Sequence, residues 1–166
     1  MWNNLCSVLI LPNERETLFR YLHEIVPTKK RLKDIRAIAS SVCEYCIHEE
    51  SNTHVVYQCE RYKENVRWFK TILQRFCDIR DPQLLRLSFL ETPKLNRKSR
   101  NATVFFLSTY IVGMWQARGN NMDPGACTNF IKGKIMQKQR LIKCFLGDKM
   151  ENIFTSKLCN LKWSDL

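Results

Sequence analysis

Residues 43–59 read CEYCIHEESNTHVVYQC, a stretch in which cysteine and histidine recur at short and regular intervals. Two residues separate Cys43 from Cys46, which is the spacing that lets two sulfur atoms face one ion. Seven mostly polar residues then lead to His54, and four more lead to Cys59. Three thiolates and one imidazole are a common structural zinc set. The stretch therefore predicts one zinc ion bound by Cys43, Cys46, His54 and Cys59.

The ligand set also predicts what this ion does. Soft thiolates favour zinc over magnesium or calcium. Protein atoms fill all four positions, so no position is open for a reactive water molecule and the zinc is structural. His48 is a rival ligand, but the single residue between it and Cys46 leaves little loop to turn its ring back. The alternative is a chance Cys-x2-Cys pair, because the chain has eight cysteines and buried thiols are common.

The rest of the chain shows mainly helical periodicity. Apolar residues recur at three- and four-residue spacing over 12–26, 66–76 and 128–146, and an apolar run covers 101–118. Shorter helices are predicted within 29–40 and 81–90, with a linker over 92–100. The predicted fold is mainly α, with a zinc knuckle inserted between helices and a C-terminal helical bundle. The regions are a helical lead-in (1–40), the knuckle (41–62) and the helical region (63–166), or one compact domain overall.

The last long helix predicts which side chains face the core. One face carries Ile131, Ile135, Ile142 and Phe145, which we expect to point inward. The basic residues of this helix fall outside that face: Lys132, Lys134, Lys138 and Arg140. In the tail, the candidate docking residues are Phe154, Leu158 and Trp163.

Charge and cysteine content indicate the surroundings of the protein. Lysine and arginine number 27 against 16 acidic residues, so the net charge is +11. This excess attracts polyanions, of which nucleic acid is the commonest, although a solvated basic face gives the same composition. The N-terminus is a poor secretory signal, so we expect a reducing intracellular location, nuclear or cytoplasmic. The apolar run over 102–115 is too short to cross a bilayer, so no membrane partner is expected.

Basic residues flank the predicted knuckle and are the candidate contacts to nucleic-acid phosphates. Those before it are Lys29, Lys30, Arg31, Lys33 and Arg36, and those after it are Arg61, Lys63 and Arg67. Such contacts give salt-dependent affinity that is largely independent of base sequence. The candidate base-stacking side chains are Tyr45, Tyr57 and Tyr62, which could equally pack a small core.

The pattern C-x2-C-x7-H-x4-C is similar to the zinc-binding region at the C-terminal side of reverse transcriptases from non-long-terminal-repeat retrotransposons. The surroundings are similar too. Residues 18–32 read LFRYLHEIVPTKKRL, Glu50 precedes the HVVYQC segment at 54–59, Trp68 follows it, and residues 114–118 read MWQAR. The resemblance is specific over 18–68 and weak beyond. It implies the same four zinc ligands and a role in binding template RNA or DNA.

The chain departs from that family in ways that exclude its catalysis. No two aspartates are adjacent, as the polymerase site requires, and 166 residues are too few for a polymerase palm. We find no carboxylate cluster for a nuclease, no Ser/His/Asp set and no glycine-rich phosphate loop. We therefore expect a nucleic-acid-binding accessory domain that is not an enzyme and has no small-molecule substrate. The alternative is a structural or protein-interaction zinc module. A decayed fragment of a retroelement falls under this alternative.

Overall fold

The apolar run near the middle of the chain forms the central helix of the protein. The structure, a computed structural model, describes residues 9–77, 95–154 and 156–166. These residues form seven α-helices, which confirms the mainly α prediction. In chain order they are α1 (Pro12–Leu22), α2 (Lys29–Asp34), α3 (Lys63–Cys77), α4 (Arg97–Gly119), α5 (Pro124–Leu146), α6 (Met150–Ile153) and α7 (Ser156–Cys159). Cys6 and the short helix predicted over 81–90 lie outside the described residues.

Helix α4 is the core around which the other elements pack. All its residues from Ala102 to Met114 are buried, so the helix needs apolar neighbours on every side. Helices α1, α3, α5 and α6 supply them, together with the turn at His54–Gln58. Phe69 of α3 stacks on Tyr110 of α4, with the two ring centroids 3.8 Å apart. No helix among the described residues has the length and hydropathy of a membrane span.

Helix α1 is shorter than its apolar pattern predicts. Pro12 is its first residue, and the Glu14 carboxylate accepts a hydrogen bond from the Leu11 N–H at 3.1 Å. The helix was expected to run to Pro27, but it ends at Leu22. Glu24 adopts a left-handed conformation (φ 55°), and the N–H of Ile25 donates to the Arg20 carbonyl at 2.9 Å. This bond is the usual six-residue closure of a helix C-terminus, and it turns the chain before the proline.

Helices α4 and α5 each begin four residues before their predicted starts. The Asn96 side chain accepts a hydrogen bond from the Ser99 N–H at 2.9 Å, so residues 97–100 are helical although they were assigned to a linker. The Asp123 side chain caps α5 in the same way, accepting from the Ala126 N–H at 3.0 Å. Both residues are preferred N-caps, so the caps and not the apolar runs define these starts.

Helices α4 and α5 approach each other closely at Gly113. A Cβ atom there would lie 2.7 Å from Cγ1 of Ile131, which is fully buried. We expect Gly113→Ala to destabilise the protein by about 1 kcal/mol or more, because overpacking costs ~1–3 kcal/mol and the gain in helix propensity offsets only ~1 kcal/mol. Gly133 in α5 has open space around it, so Gly133→Ala should stabilise by roughly 0.5–1 kcal/mol. Urea denaturation of both variants checks the opposite signs, and equal effects would contradict the close approach.

Two side chains of α5 lie where the apolar pattern did not place them. Lys138, which falls outside the apolar face, is nevertheless only 1% exposed. Phe145 was expected on the inward face, but it is 82% exposed. At the end of α5 the face that packs on the core runs through Ile142 and Leu146, so Phe145 lies outside it, whereas Ile131, Ile135 and Ile142 are buried as expected.

The segments on either side of the knuckle share one hydrophobic cluster. It includes Leu18 of α1, Cys59 and Tyr62 beside the knuckle, and Phe106 of α4. In the tail, Phe154 and Leu158 are fully buried and dock as expected, whereas Trp163 remains half exposed. The predicted knuckle therefore packs on the helices through apolar contacts of its own.

Candidate metal centre

A short hairpin positions the first two cysteines. Val42 and Glu49 form an isolated antiparallel bridge. Beside it, the Cys43 N–H donates to the His48 carbonyl at 2.9 Å, and the Glu50 N–H donates to the Ser41 carbonyl at 2.8 Å. These bonds hold residues 43–48 in a tight turn, and the Tyr45 N–H points to Cys43 Sγ at 3.5 Å. The knuckle predicted from the Cys-x2-Cys spacing is therefore present.

A single π-helical turn positions the other two residues. It covers His54–Gln58, and the Cys59 N–H donates to the His54 carbonyl at 2.9 Å. Because this bond joins residues five apart, the turn is wider than an α-turn, and such turns are frequent at functional sites. Val55 and Val56 point into the core and fix the turn against α4.

The four side chains meet at one point. One ligand atom from each of Cys43, Cys46, His54 and Cys59 lies within 4.8 Å of the other three. The Sγ atoms of Cys43 and Cys59 are 3.9 Å apart, and Cys46 Sγ is 3.3 Å from His54 Nε2. Tetrahedral zinc with Zn–S bonds of about 2.3 Å separates two sulfurs by roughly 3.8 Å. The donor set and its spacing therefore fit one metal ion of this kind.

The rival ligand His48 does not belong to this group. Its ring centroid lies 6.1 Å from that of His54, and the four-atom cluster forms without it. His48 instead contributes its carbonyl to the hairpin. The structure therefore selects His54 as the imidazole of the centre.

The electrostatics of the group favour a cation among the four side chains. Burial raises the pKa of Cys59 to about 12, and the neighbouring Cys43 adds to this. For Cys46, burial also raises the pKa, but hydrogen bonds from the His48 and Glu60 backbones lower it overall. Burial lowers the pKa of His54, so its ring is neutral at pH 7, the form that binds metals. Buried thiols at this spacing resist ionisation until a metal ion supplies the opposing charge.

Glu50 joins the centre to two helices, a link that spacing alone did not predict. Its buried carboxylate accepts a hydrogen bond from the Lys29 N–H at 2.9 Å and forms an ion pair with Arg118 of α4. Both Glu50 and Arg118 line a small void beside Cys43, His54 and Cys59. Glu50 and Arg118 are 68 residues apart in the chain, and from the sequence each is singled out only by the family resemblance.

The turn between α4 and α5 receives further contacts from the centre. The Tyr45 hydroxyl donates to the Asn121 side chain at 2.6 Å, and the Tyr62 hydroxyl donates to the Met122 carbonyl at 3.0 Å. The Arg61 guanidinium donates to the same carbonyl at 3.1 Å and lies 4.0 Å over the Tyr45 ring. These contacts bind the knuckle to the helical bundle at one place.

The candidate stacking residues are mostly engaged in packing. Tyr62 is buried, and Tyr57 stacks with Tyr110 of α4 at a centroid distance of 6.1 Å. Tyr45 is the most exposed of the three, at 41%, but one face of its ring is covered by Arg61. Only Tyr45 could therefore present a ring to a base.

The eight candidate phosphate contacts divide into three groups. Four have a carboxylate partner within 4.0 Å, in the pairs Lys29–Glu44, Lys30–Glu49, Lys63–Glu60 and Arg67–Glu64. Arg61 is held by backbone carbonyls, as described above. Within the described residues, no carboxylate lies that close to the remaining three, which are Arg31, Lys33 and Arg36. These three belong to α2 and the turn that follows it.

Comparison with known proteins adds no family to this description. No protein-family model, curated protein or solved structure matches the chain. The similarity to retrotransposon reverse transcriptases therefore stays a prediction from the sequence pattern, and the geometry of the centre stands independently of it.

Proposed function

We propose that Cys43, Cys46, His54 and Cys59 bind one structural zinc ion that holds the knuckle on the helical bundle. The observation that carries this proposal is the convergence of four ligand atoms within 4.8 Å. Zinc suits three sulfurs and one nitrogen, and the protein supplies every ligand. The ion would fold a loop that has little core of its own.

The wider function proposed for the protein is that of a nucleic-acid-binding accessory domain without an active site. The net charge of +11 supports it, since phosphate neutralisation dominates such binding. The resemblance to the tail of a reverse transcriptase points the same way and suggests RNA or DNA near a polymerase. We propose no catalytic role for any residue.

The surface best suited to phosphate contacts is formed by Arg31, Lys33 and Arg36. A lysine beside a glutamate must exchange that partner for a phosphate, and the freed carboxylate then repels the phosphate. These three residues avoid that exchange. Arg36 also has a left-handed backbone (φ 59°), which closes α2 and turns the chain toward the knuckle.

The test is binding of a fluorescent single-stranded RNA and a DNA duplex at several salt concentrations. Binding to single strands should weaken with salt at a log–log slope of about −0.7 per phosphate contact. The triple variant Arg31→Gln, Lys33→Gln, Arg36→Gln should therefore lose about 2 units of that slope. The matched control, Lys63→Gln with Arg67→Gln, removes two cations that are already paired and should change the slope less.

The outcomes separate the two parts of the proposal. If all variants retain one zinc ion but the wild-type protein binds neither RNA nor DNA, nucleic-acid binding is wrong and the zinc centre stands. The protein would then be a structural or protein-interaction module. Equal loss in the triple variant and in the control would instead disprove the special role of the α2 surface.

A further inference from the structure

A groove that opens to solvent separates the start of α1 from the second half of α5. It provides about 360 Å³ of space for water-sized molecules. Its α5 wall consists of Lys134, Gln137, Leu141 and Phe145, and Leu11 and Pro12 form part of the opposite wall. No residue of the metal centre lines it, so it is a separate feature of the protein.

The shape of the groove indicates an elongated occupant. The four α5 residues follow each other at intervals of three, four and four residues, which places them along one face of the helix. The eleven steps along the helix from Lys134 to Phe145 correspond to a length of about 16 Å. A face of this length and spacing is the surface that an amphipathic segment contacts when it lies in a helical groove.

Apolar side chains are exposed along this face. Phe145 is 82% exposed and Leu141 is 39% exposed, one turn apart on α5. A partner that covered Phe145 and Leu141 would remove the two largest apolar side chains of this wall from water. Burying each of them would contribute on the order of 1–3 kcal/mol to the free energy of binding. The groove between them and Pro12 could accept an apolar side chain of a partner.

The cation that lines the groove is Lys134. Helix α5 carries five lysines and arginines and no acidic residue, but only Lys134 of these lines the groove, and Lys138 is buried against Glu14. The acidic side chain that lines the groove is Glu14, which is already paired with Lys138 at 2.7 Å. Lys134 lines the groove and lies 4.9 Å from the Phe130 ring. A partner with acidic residues beside its apolar ones would therefore complement this surface.

We propose that this groove binds an acidic, amphipathic peptide segment of another protein. The apolar residues of that segment contact Leu141, Phe145 and Pro12, and a carboxylate of the segment contacts Lys134. Nucleic acid suits this surface less well, because Phe145 is the one aromatic ring among the lining residues and the other apolar ones are aliphatic, whereas single strands are bound by successive stacked rings.

The experiment selects ligands for the full-length protein from a display library of random peptides of about 15 residues, long enough for four helical turns. Enriched peptides should combine aspartate or glutamate with leucine, phenylalanine or other large apolar residues. Phe145→Ser should weaken their binding at least tenfold, roughly the effect of losing one anchor side chain. Ile47→Ser is the matched control, because Ile47 is 89% exposed and lies outside the groove, and binding should be unchanged.

A charge-reversal step tests the electrostatic part. Lys134→Glu should weaken the binding of a selected acidic peptide. Replacing the glutamates of that peptide with lysines should restore its binding to the variant. Three results would overturn the proposal. They are the absence of enriched peptides, enrichment that does not depend on Phe145, and Phe145-dependent binding of RNA or of a second copy of the chain in place of a peptide.

Discussion

A variant carrying Cys43→Ser and Cys59→Ser is expected to bind no zinc, to lose the structure of residues 41–62 and to keep most of its helices. The two sulfur atoms form one edge of the ligand group, at 3.9 Å, and Cys46 is the only further cysteine among the described residues that belongs to that group. Without them, two ligands remain, which is too few for a structural site. Helices α3, α4 and α5 share an apolar core that does not need the ion.

The expected loss of stability is large for a change confined to a loop. Structural zinc contributes an apparent ~10–16 kcal/mol in small zinc peptides, whereas a whole domain is stable by only ~5–15 kcal/mol. Because the helical core survives here, we expect a loss of about 4 kcal/mol or more. For a chain of this size that corresponds to a fall in Tm of roughly 8–16 °C. Amide protection should also be lost at Cys43, Glu50 and Cys59, whose N–H groups donate to carbonyls within the knuckle.

Metal analysis, calorimetry and hydrogen exchange together check this prediction. Cys144→Ser is the control, because Cys144 is exposed and lies outside the ligand group, so this variant should retain one zinc ion and its Tm. His54→Ala should lose zinc, whereas His48→Ala should retain it. A folded wild-type protein without zinc, or a Cys144→Ser variant that loses it, would contradict the assignment.

The sequence was informative wherever a local spacing determines the structure. The four ligands follow from a stretch of 17 residues, and the buried positions of α3 follow from apolar spacing at Val66, Phe69, Leu73 and Phe76. Both features depend on neighbours within one or two turns of chain. Asn96 and Asp123 also act locally, so the early starts of α4 and α5 could have been predicted from their preference for N-cap positions.

The sequence was uninformative wherever a side chain depends on a distant partner. Lysine is normally assigned to solvent, and nothing near Lys138 in the chain indicates otherwise. Its partner Glu14 lies 124 residues earlier and becomes its neighbour only when α1 packs against α4 and α5. The Glu50–Arg118 pair was missed for the same reason, and the exposure of Phe145 follows from Leu146 taking its place against the core.

Replacing Lys138 is expected to be among the most damaging single changes in the helical core. Its ammonium group donates to Glu14 at 2.7 Å, to Ser108 at 2.6 Å and to Thr109 at 3.0 Å, all within the buried space between α1, α4 and α5. Lys138→Met removes the cation and leaves the Glu14 carboxylate buried without a charge partner. Breaking such a pair costs about 3–5 kcal/mol. Urea denaturation measures the loss.

The double variant Glu14→Gln, Lys138→Met separates the cost of an unpaired charge from the value of the pair. Glutamine can still accept the Leu11 N–H bond that begins α1, and methionine fills much of the lysine volume. Replacing both charges of a buried pair is often close to neutral, so the double variant should recover most of the stability lost in Lys138→Met. Lys143→Met, on the exposed face of α5, is the control and should stay within about 0.5 kcal/mol of wild type. A double variant as unstable as the single would show that packing, and not charge, explains the loss.

The buried pair also predicts a pH dependence of definite sign. Burial lowers the pKa of Lys138 to about 8, and Glu14 offsets part of that effect. An unfolded lysine titrates near pH 10.4, so between about pH 8 and 10.4 the unfolded chain binds the proton that the folded chain has released. The stability of the wild type relative to the double variant should therefore rise with pH over this window, by about 3 kcal/mol at 1.36 kcal/mol per pKa unit. Between about pH 6 and 8 the difference should be constant, because Lys138 is protonated in both states and a glutamate in an unfolded chain is already ionised there. A difference that stays flat from pH 8 to 10 and falls above about pH 10.4 would mean that the Glu14 carboxylate outweighs burial and raises the pKa of Lys138 above that of a free lysine.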